Sequence, residues 1–249
     1  MCVLAIYYKS AKDAPILLAQ NREEFRDRPS QVPRIQSGRP RVVCGIDRKA
    51  GGTWLGVNQH GMVAAVANRA KTNLPAEPRS RGLLCRELLA CATAKEAAEL
   101  AARELRSGCY AGANYLCADA KSAAVVYGGD RVEIVRLTPG LHLLTNGDLD
   151  DPYDERQAFA KRLLTLQRLD SAVAFLAVAS RTFSRKGNSS SLRGLIVSDK
   201  DYGTVSSTLI SLSRKTQNAI YQYAAGPPCD EPYEDYSALL RQVLSTDKQ

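Results

Sequence analysis

Residues 2–8 (Cys2-Val3-Leu4-Ala5-Ile6-Tyr7-Tyr8) form an apolar run, Lys9 to Ala14 a polar turn, and residues 15–20 a second apolar run. That pattern predicts a β-hairpin whose second strand leads directly into Asn21-Arg22-Glu23-Glu24. A proline-punctuated stretch carrying Pro29, Pro33 and Pro40 reads as loop. A second hairpin is expected from Gly51–Asn58 and Met62–Asn68 around the turn Gln59-His60-Gly61. Between Arg81 and Ser107 the apolar period becomes helical, with Leu83, Leu84, Leu88 and Leu89 on one stripe and a Thr93–Glu96 capping box opening a second helix. Residues 114–118, 123–127 and 131–137 predict a three-stranded meander, and 141–145 a further strand ending in Asn146-Gly147. Helices are expected over Glu155–Leu169 and around Ala172–Ala179, then strands at 194–198, 202–212 and 218–224. Runs of strands, paired helices and strands again point to α+β layers in one domain spanning residues 1–249.

A chain of 249 residues with 45% hydrophobic content buries a full core without staples. No stretch approaches the roughly 18 apolar residues of a membrane helix. Lys9 and Lys12 follow the first apolar run instead of preceding it, the reverse of a signal peptide, so a cytoplasmic protein without membrane insertion is expected. Seven cysteines at irregular spacing, with no CxxC pair and only His60 and His142 as histidines, support neither a disulfide framework nor a metal site. The net charge of +8 is partly concentrated between Arg22 and Lys49. With four Phe, one Trp and no recognition-helix pattern, that basic stretch suits the rim of a pocket for a small anionic ligand better than nucleic acid.

Cys2 carries the candidate chemistry. Removal of Met1 would leave a thiol and an α-amine on one residue, a nucleophile with its own base, because the amine's ordinary pKa is about 7.7–8.0. A buried Cys at the head of a strand is equally a small core hydrophobe. Asn21, Asn68 and Asn146 stand at expected strand ends, where all three suit turn formation or a place in the site, Asn68 and Asn146 as donors to an oxyanion. Glu23 suits either orientation of an ammonium or a surface pair with Arg22 or Arg69. Trp54 reads as an apolar plug beneath a site that Arg22, Arg26 and Arg28 would help to line.

The string Ala19-Gln20-Asn21-Arg22-Glu23-Glu24-Phe25 with Arg28-Pro29, and Gly51 to Asn58, resembles the NRDE family, also called the transport and Golgi organisation protein 2 family. Ser80-Arg81-Gly82-Leu83-Leu84, Tyr110 to Leu116, Thr145-Asn146-Gly147 with a Leu-x-x-Pro ending at Pro152, and Tyr202-Gly203-Thr204-x-Ser206-Ser207-Thr208 extend the resemblance over about residues 2–210. It implies an Ntn-hydrolase-like fold similar to penicillin V acylase and bile-salt hydrolase, a four-layer αββα sandwich of two mainly antiparallel sheets. It further implies Cys2 as nucleophile, Glu23 where those enzymes have aspartate, Gln20 where they have arginine, Asn21 beside them, and Asn68 and Asn146 as the active-site asparagines. Val205 stands where the family commonly has arginine, which removes a cation from the site. Two functions follow from the resemblance: an amidohydrolase acting on a small amide or acyl compound and needing no cofactor, or a non-catalytic carrier of haem, acyl-CoA or lipid.

Overall fold

The opening apolar run becomes β1 (Val3–Tyr8), antiparallel to β2 (Ile16–Phe25), in a computed structural model that describes residues 2–187 and 194–245. Met1, on whose removal the candidate chemistry turns, lies outside the described residues. β2 continues to Phe25, past the expected end at Gln20. The cause is β11 (Tyr202–Leu212), which pairs with β2 from Leu212 opposite Ile16 to Tyr202 opposite Phe25 and so satisfies the backbone of the polar segment. Asn21 and Glu23 are therefore strand residues, not strand-end residues.

The chain divides into two compact units, Met1–Arg28 with Pro139–Ala238 and Pro29–Thr138 with Leu239–Gln249. The first is built on the sheet β10-β1-β2-β11-β12-β13, where β10 is Gly140–Leu144, β12 Ile220–Ala224 and β13 Glu234–Asp235. Strand alternation sends Val3, Ala5, Leu17, Ala19 and Leu209 to one face, where they pack on Ala160 and Leu164 of α3 (Glu155–Leu164) and Phe175, Ala179 and Phe183 of α4 (Ala172–Phe183). Leu4, Ile6, Ile16, Leu18 and Gln20 point to the other face. Asp154 and Ser171 cap α3 and α4, accepting from first-turn N–H groups. α3 stops at Leu164, short of the expected Leu169.

The second unit carries the sheet β3-β4-β5-β6-β7-β8-β9 in chain order: Ser30–Gln36, Val42–Asp47, Leu55–Asn58, Val63–Asn68, Ala113–Ala118, Ala123–Gly128 and Val132–Arg136. α1 (Arg81–Leu88) and α2 (Ala94–Arg106) follow β6, and α2 is opened by the Thr93–Glu96 capping box and buries Ala97, Ala101 and Leu105. The stretch expected as loop thus holds two strands. Pro33 is tolerated because β3 is an edge strand whose register shifts between Gln31 and Arg34, where no ladder donor is needed. Conversely, the strand expected at 194–198 yields only isolated bridges, Ile196 with Lys186 and Ser198 with Gly203. The helix α5 (Ser237–Leu244) was not anticipated. No helix among the described residues is long and apolar enough to cross a membrane.

Two of the motif strings meet in the second unit. Thr53 N–H donates to Gly82 O at 2.9 Å, and a Cβ on Gly52 would stand 2.2 Å from the Gly82 carbonyl carbon, so the close approach requires glycine. Asn58, which ends the same string, is fully buried. Its Nδ2 donates to Leu89 O at 3.0 Å and Cys91 O at 2.7 Å, and its Oδ1 accepts from the N–H groups of His60 and Met62. Asn58→Leu strands these backbone groups at about 1–3 kcal/mol for each buried orphan. A total loss of about 3 kcal/mol or more is expected in urea denaturation, and a loss below about 1 kcal/mol would contradict the clamp role.

Candidate functional site

The pairing of β1 with its neighbours decides what surrounds Cys2. Leu4 stands opposite Leu144 of β10, so Cys2, two residues back, comes beside Asn146, two residues on. On the other side Val3 stands opposite Asn21, which brings Cys2 level with Arg22. The side chain of Asn146 completes the contact: Cys2 N–H donates to Asn146 Oδ1 at 3.3 Å. With Oδ1 so turned, Nδ2 is the group left to donate elsewhere. The turn bearing Asn146 is fixed by the start of α3. Thr145 Oγ1 bonds to the Asp154 carboxylate, and Gln157 Nε2 donates to Thr145 Oγ1 at 3.1 Å and Asp148 O at 2.8 Å. Neither Asp154 nor Gln157 was among the sequence candidates.

Asn21 and Glu23 face the helices. Asn21 Nδ2 donates to Phe183 O and Leu195 O, each at 3.0 Å, so its amide joins β2 to the end of α4 and the segment after it. The Glu23 side chain is fully buried and takes a two-point pair from Arg156, at 2.6 Å from Nη2 and 3.3 Å from Nη1. Arg156 Nη2 also donates to Leu195 O at 3.3 Å. Burial pushes the Glu23 carboxyl above its ordinary value, and the charge and hydrogen bonds of Arg156 oppose the rise. Arg156 is the main site residue absent from the sequence candidates. Its only signal was indirect: an acid placed within an otherwise buried strand requires a cation from a packed element.

The Cys2 thiol, 7% exposed, lies within the field of these groups. Burial raises its pKa most and the Glu23 carboxylate adds to the rise, while the Glu23 backbone N–H bonding the sulfur and the Arg22 charge work in the opposite direction. Arg22 is itself buried, with Nη2 3.8 Å from Glu24 Oε2. Val205 sits at the register shift of β11 between Thr204 and Ser206.

The remaining candidates are held by other contacts. Arg26 binds the 199–203 turn, its backbone N–H donating to Asp201 O at 2.9 Å and its Nε to Asp199 O at 3.2 Å, and Arg28 Nε lies 3.7 Å from Glu24 Oε2. Both arginines stand at and beyond the end of β2. Asn68 and Trp54 belong to the second unit. Asn68 closes β6 opposite Ala113 and is half-buried. Trp54 is buried flat against β4, where a Cβ on Gly45 would fall 2.5 Å from the indole ring, so the ring fills the space that glycine leaves.

The geometry can be set beside known proteins. A family model described as Transport and Golgi organisation 2 matches residues 1–224. The Transport and Golgi organization protein 2 homolog of Homo sapiens is 33% identical over 156 residues, which cover 59% of this chain and 56% of that protein. The match thus spans little more than half the length of the curated relative. Penicillin V acylase from Agrobacterium tumefaciens is similar in structure with a TM-score of 0.55 at 15% identity, over 90% of this chain and 83% of that one. The C2A mutant of conjugated bile acid hydrolase from Clostridium perfringens gives 0.52 at 12% identity, over 96% and 93%. At such identities the likeness concerns the fold, which is the α+β, two-sheet antiparallel fold of Ntn-hydrolase type that the resemblance implied.

Arg156→Met leaves Glu23 buried without its cation and drives its folded pKa higher still. A carboxyl with a raised folded pKa loses stability as the pH rises through that value and keeps it below the unfolded value. The variant is therefore expected to lose about 3–5 kcal/mol relative to wild type near pH 7.5. The gap should narrow toward the ordinary glutamate value of 4.5. Urea denaturation at pH 7.5 and pH 5 tests this, and a gap independent of pH would show that the pair is not what stabilises the contact.

Proposed function

The chain belongs to the Transport and Golgi organisation 2 family, and within that family we propose that it acts as an N-terminal-nucleophile cysteine amidohydrolase on a small amide or acyl compound. The observation that carries this reading is the contact between Cys2 N–H and Asn146 Oδ1. Once Met1 is removed, that nitrogen becomes the α-amine, already held beside the thiol. The amine takes the thiol proton, the thiolate adds to the substrate carbonyl, and Asn146 Nδ2 donates to the oxygen on which charge develops. The ammonium then returns the proton to the leaving amine as the C–N bond breaks. Water, deprotonated by the same amine, attacks the thioester so formed, and the carboxylic acid leaves as the thiol is restored.

Glu23 orients the ammonium, and Arg156 tempers its field. A lone carboxylate so close would raise the amine pKa and make it a poorer base at neutral pH, whereas a carboxylate shared with a guanidinium raises it less. Arg22, Arg26 and Arg28 would steer an anionic part of the ligand. All seven cysteines are free thiols, which suits a reducing cytoplasm. The names of the similar structures, an acylase and a hydrolase of conjugated bile acid, agree with acyl-transfer chemistry.

The second reading is carriage of haem, acyl-CoA or lipid. It is favoured in a chain that keeps Met1, because the amine is then blocked and the thiol pKa is raised by burial. For haem, His60, His142, Cys2 and the tyrosines are the candidate ligands by residue type.

Intact-mass analysis of the purified protein, followed by amine-release assays on acyl amides, separates the two readings. Hydrolysis requires a chain beginning at Cys2. Asn146→Ala should lower kcat by about 10²–10³-fold, and Cys2→Ser should remove measurable turnover with ligand affinity nearly intact. Retained Met1, no turnover on any amide and haem absorbance unaltered in Cys2→Ser would replace the hydrolase with the carrier.

A further inference from the structure

Among the described residues of the first unit, Gln20 is the side-chain amide that is buried with neither its oxygen nor its nitrogen in use. It is 1% exposed, and neither Oε1 nor Nε2 has a hydrogen-bond partner among the described residues. Its backbone is satisfied, its carbonyl accepting from Ser207 Oγ at 3.3 Å within the β2–β11 ladder. A buried amide with donor and acceptor both idle is costly, and an apolar residue at this position would avoid that cost. Its neighbours on β2, Ala19 and Asn21, face the helices, so alternation turns Gln20 to the opposite face. There it lies in a row across the sheet with Leu4, Thr208 and Tyr223. Arg22 and Ser206 form the next row, level with Cys2. The position of Gln20 is diagonal to that of Cys2, a spacing of about 7–8 Å that a long side chain spans.

We propose that Gln20 is a substrate-positioning residue that selects acyl amides: Oε1 accepts the ligand's amide N–H and Nε2 donates to a carbonyl. This deepens the hydrolase reading, on which it rests for the identity of the attacked bond. An amide brings the donor that Oε1 lacks, whereas a thioester brings only acceptors and would leave Oε1 orphaned in the complex. Sites built to hydrogen-bond an N–H discriminate strongly against analogues lacking it. The neutral amide of Gln20 thus favours a hydrogen-bonded, uncharged group next to the thiol, with the arginines left to meet charge elsewhere on the ligand.

The experiment compares wild type with Gln20→Leu and Gln20→Met, using octananilide and its isostere S-phenyl octanethioate as probes. Without ligand, both variants are expected to melt at or above the wild-type temperature, with a rise of about 2–4 °C if the orphaned amide is relieved. With ligand, the ratio of kcat/KM for amide over thioester should fall at least about tenfold, mostly through a higher KM for the amide. A lowered melting temperature in both variants with an unchanged ratio would assign Gln20 a structural role, such as holding a buried water, and overturn the proposal. An unchanged ratio with a raised melting temperature would overturn it equally. If wild type hydrolyses neither probe, the hydrolase reading fails by itself, and selectivity is read from ligand-induced melting shifts on Cys2→Ala protein. An amide-selective shift that Gln20→Leu erases supports the positioning role, while equal shifts, or none, overturn it.

Discussion

A carboxylate with no exposed side-chain surface cannot stay ionised in a protein interior unless a cation comes to it, and Glu23 in the middle of a buried ladder is such a group. Arg156 meets that need from the first turn of α3, and in doing so ties the helix to β2. The same turn of helix caps itself with Asp154, bonds Thr145 through that carboxylate, and reaches Asp148 through Gln157. One helix start therefore governs both the charge beside Cys2 and the turn that presents Asn146 to it. Buried pairs of this kind are weak sources of net stability but expensive to break, so the arrangement tolerates little substitution on either side.

The register of the sheet does the rest. Cys2 lies just outside β1, yet its lateral neighbours are dictated by ladders that begin one and two residues later, Val3 with Asn21 and Leu4 with Leu144. A shift of β2 by one residue against its neighbours would exchange its faces, sending Glu23 away from Arg156 and Gln20 toward the helices. The long pairing of β2 with β11, interrupted only at Val205, is what holds that register.

Much of this order was legible in the chain because apolar periodicity is a local property. The first hairpin, the helices opened by Ser80 and Thr93, and the meander from Ala113 to Arg136 all follow from patterns a few residues long. What escaped was decided at a distance. β3 looked like loop because Pro33 has no N–H, a defect that matters only if the strand is not at an edge. Asn21 looked like a strand end because the residues that extend β2 belong to β11, some 180 positions later. Arg156 carried no motif, and its meaning arises only when Glu23 is buried opposite it. Cys2 and Asn146 each stand out in the sequence, but their adjacency is a consequence of strand pairing that composition cannot express.

On the proposed reading, removal of Met1 would act on the site through its electrostatics. With Met1 attached, the nitrogen of Cys2 is an amide that donates to Asn146 and holds no proton to trade, while burial and Glu23 keep the sulfur protonated. With Met1 removed, the same position would carry an ammonium that lowers the thiol pKa and, after losing its own proton, accepts that of the thiol. The surrounding groups serve either state: Asn146 Oδ1 accepts from amide or ammonium alike, and Glu23, already neutralised in part by Arg156, does not force the amine to remain charged. In that proposal the change falls on what the first nitrogen is, while the strand pairing that brings Cys2 to Asn146 is set by residues further along the chain.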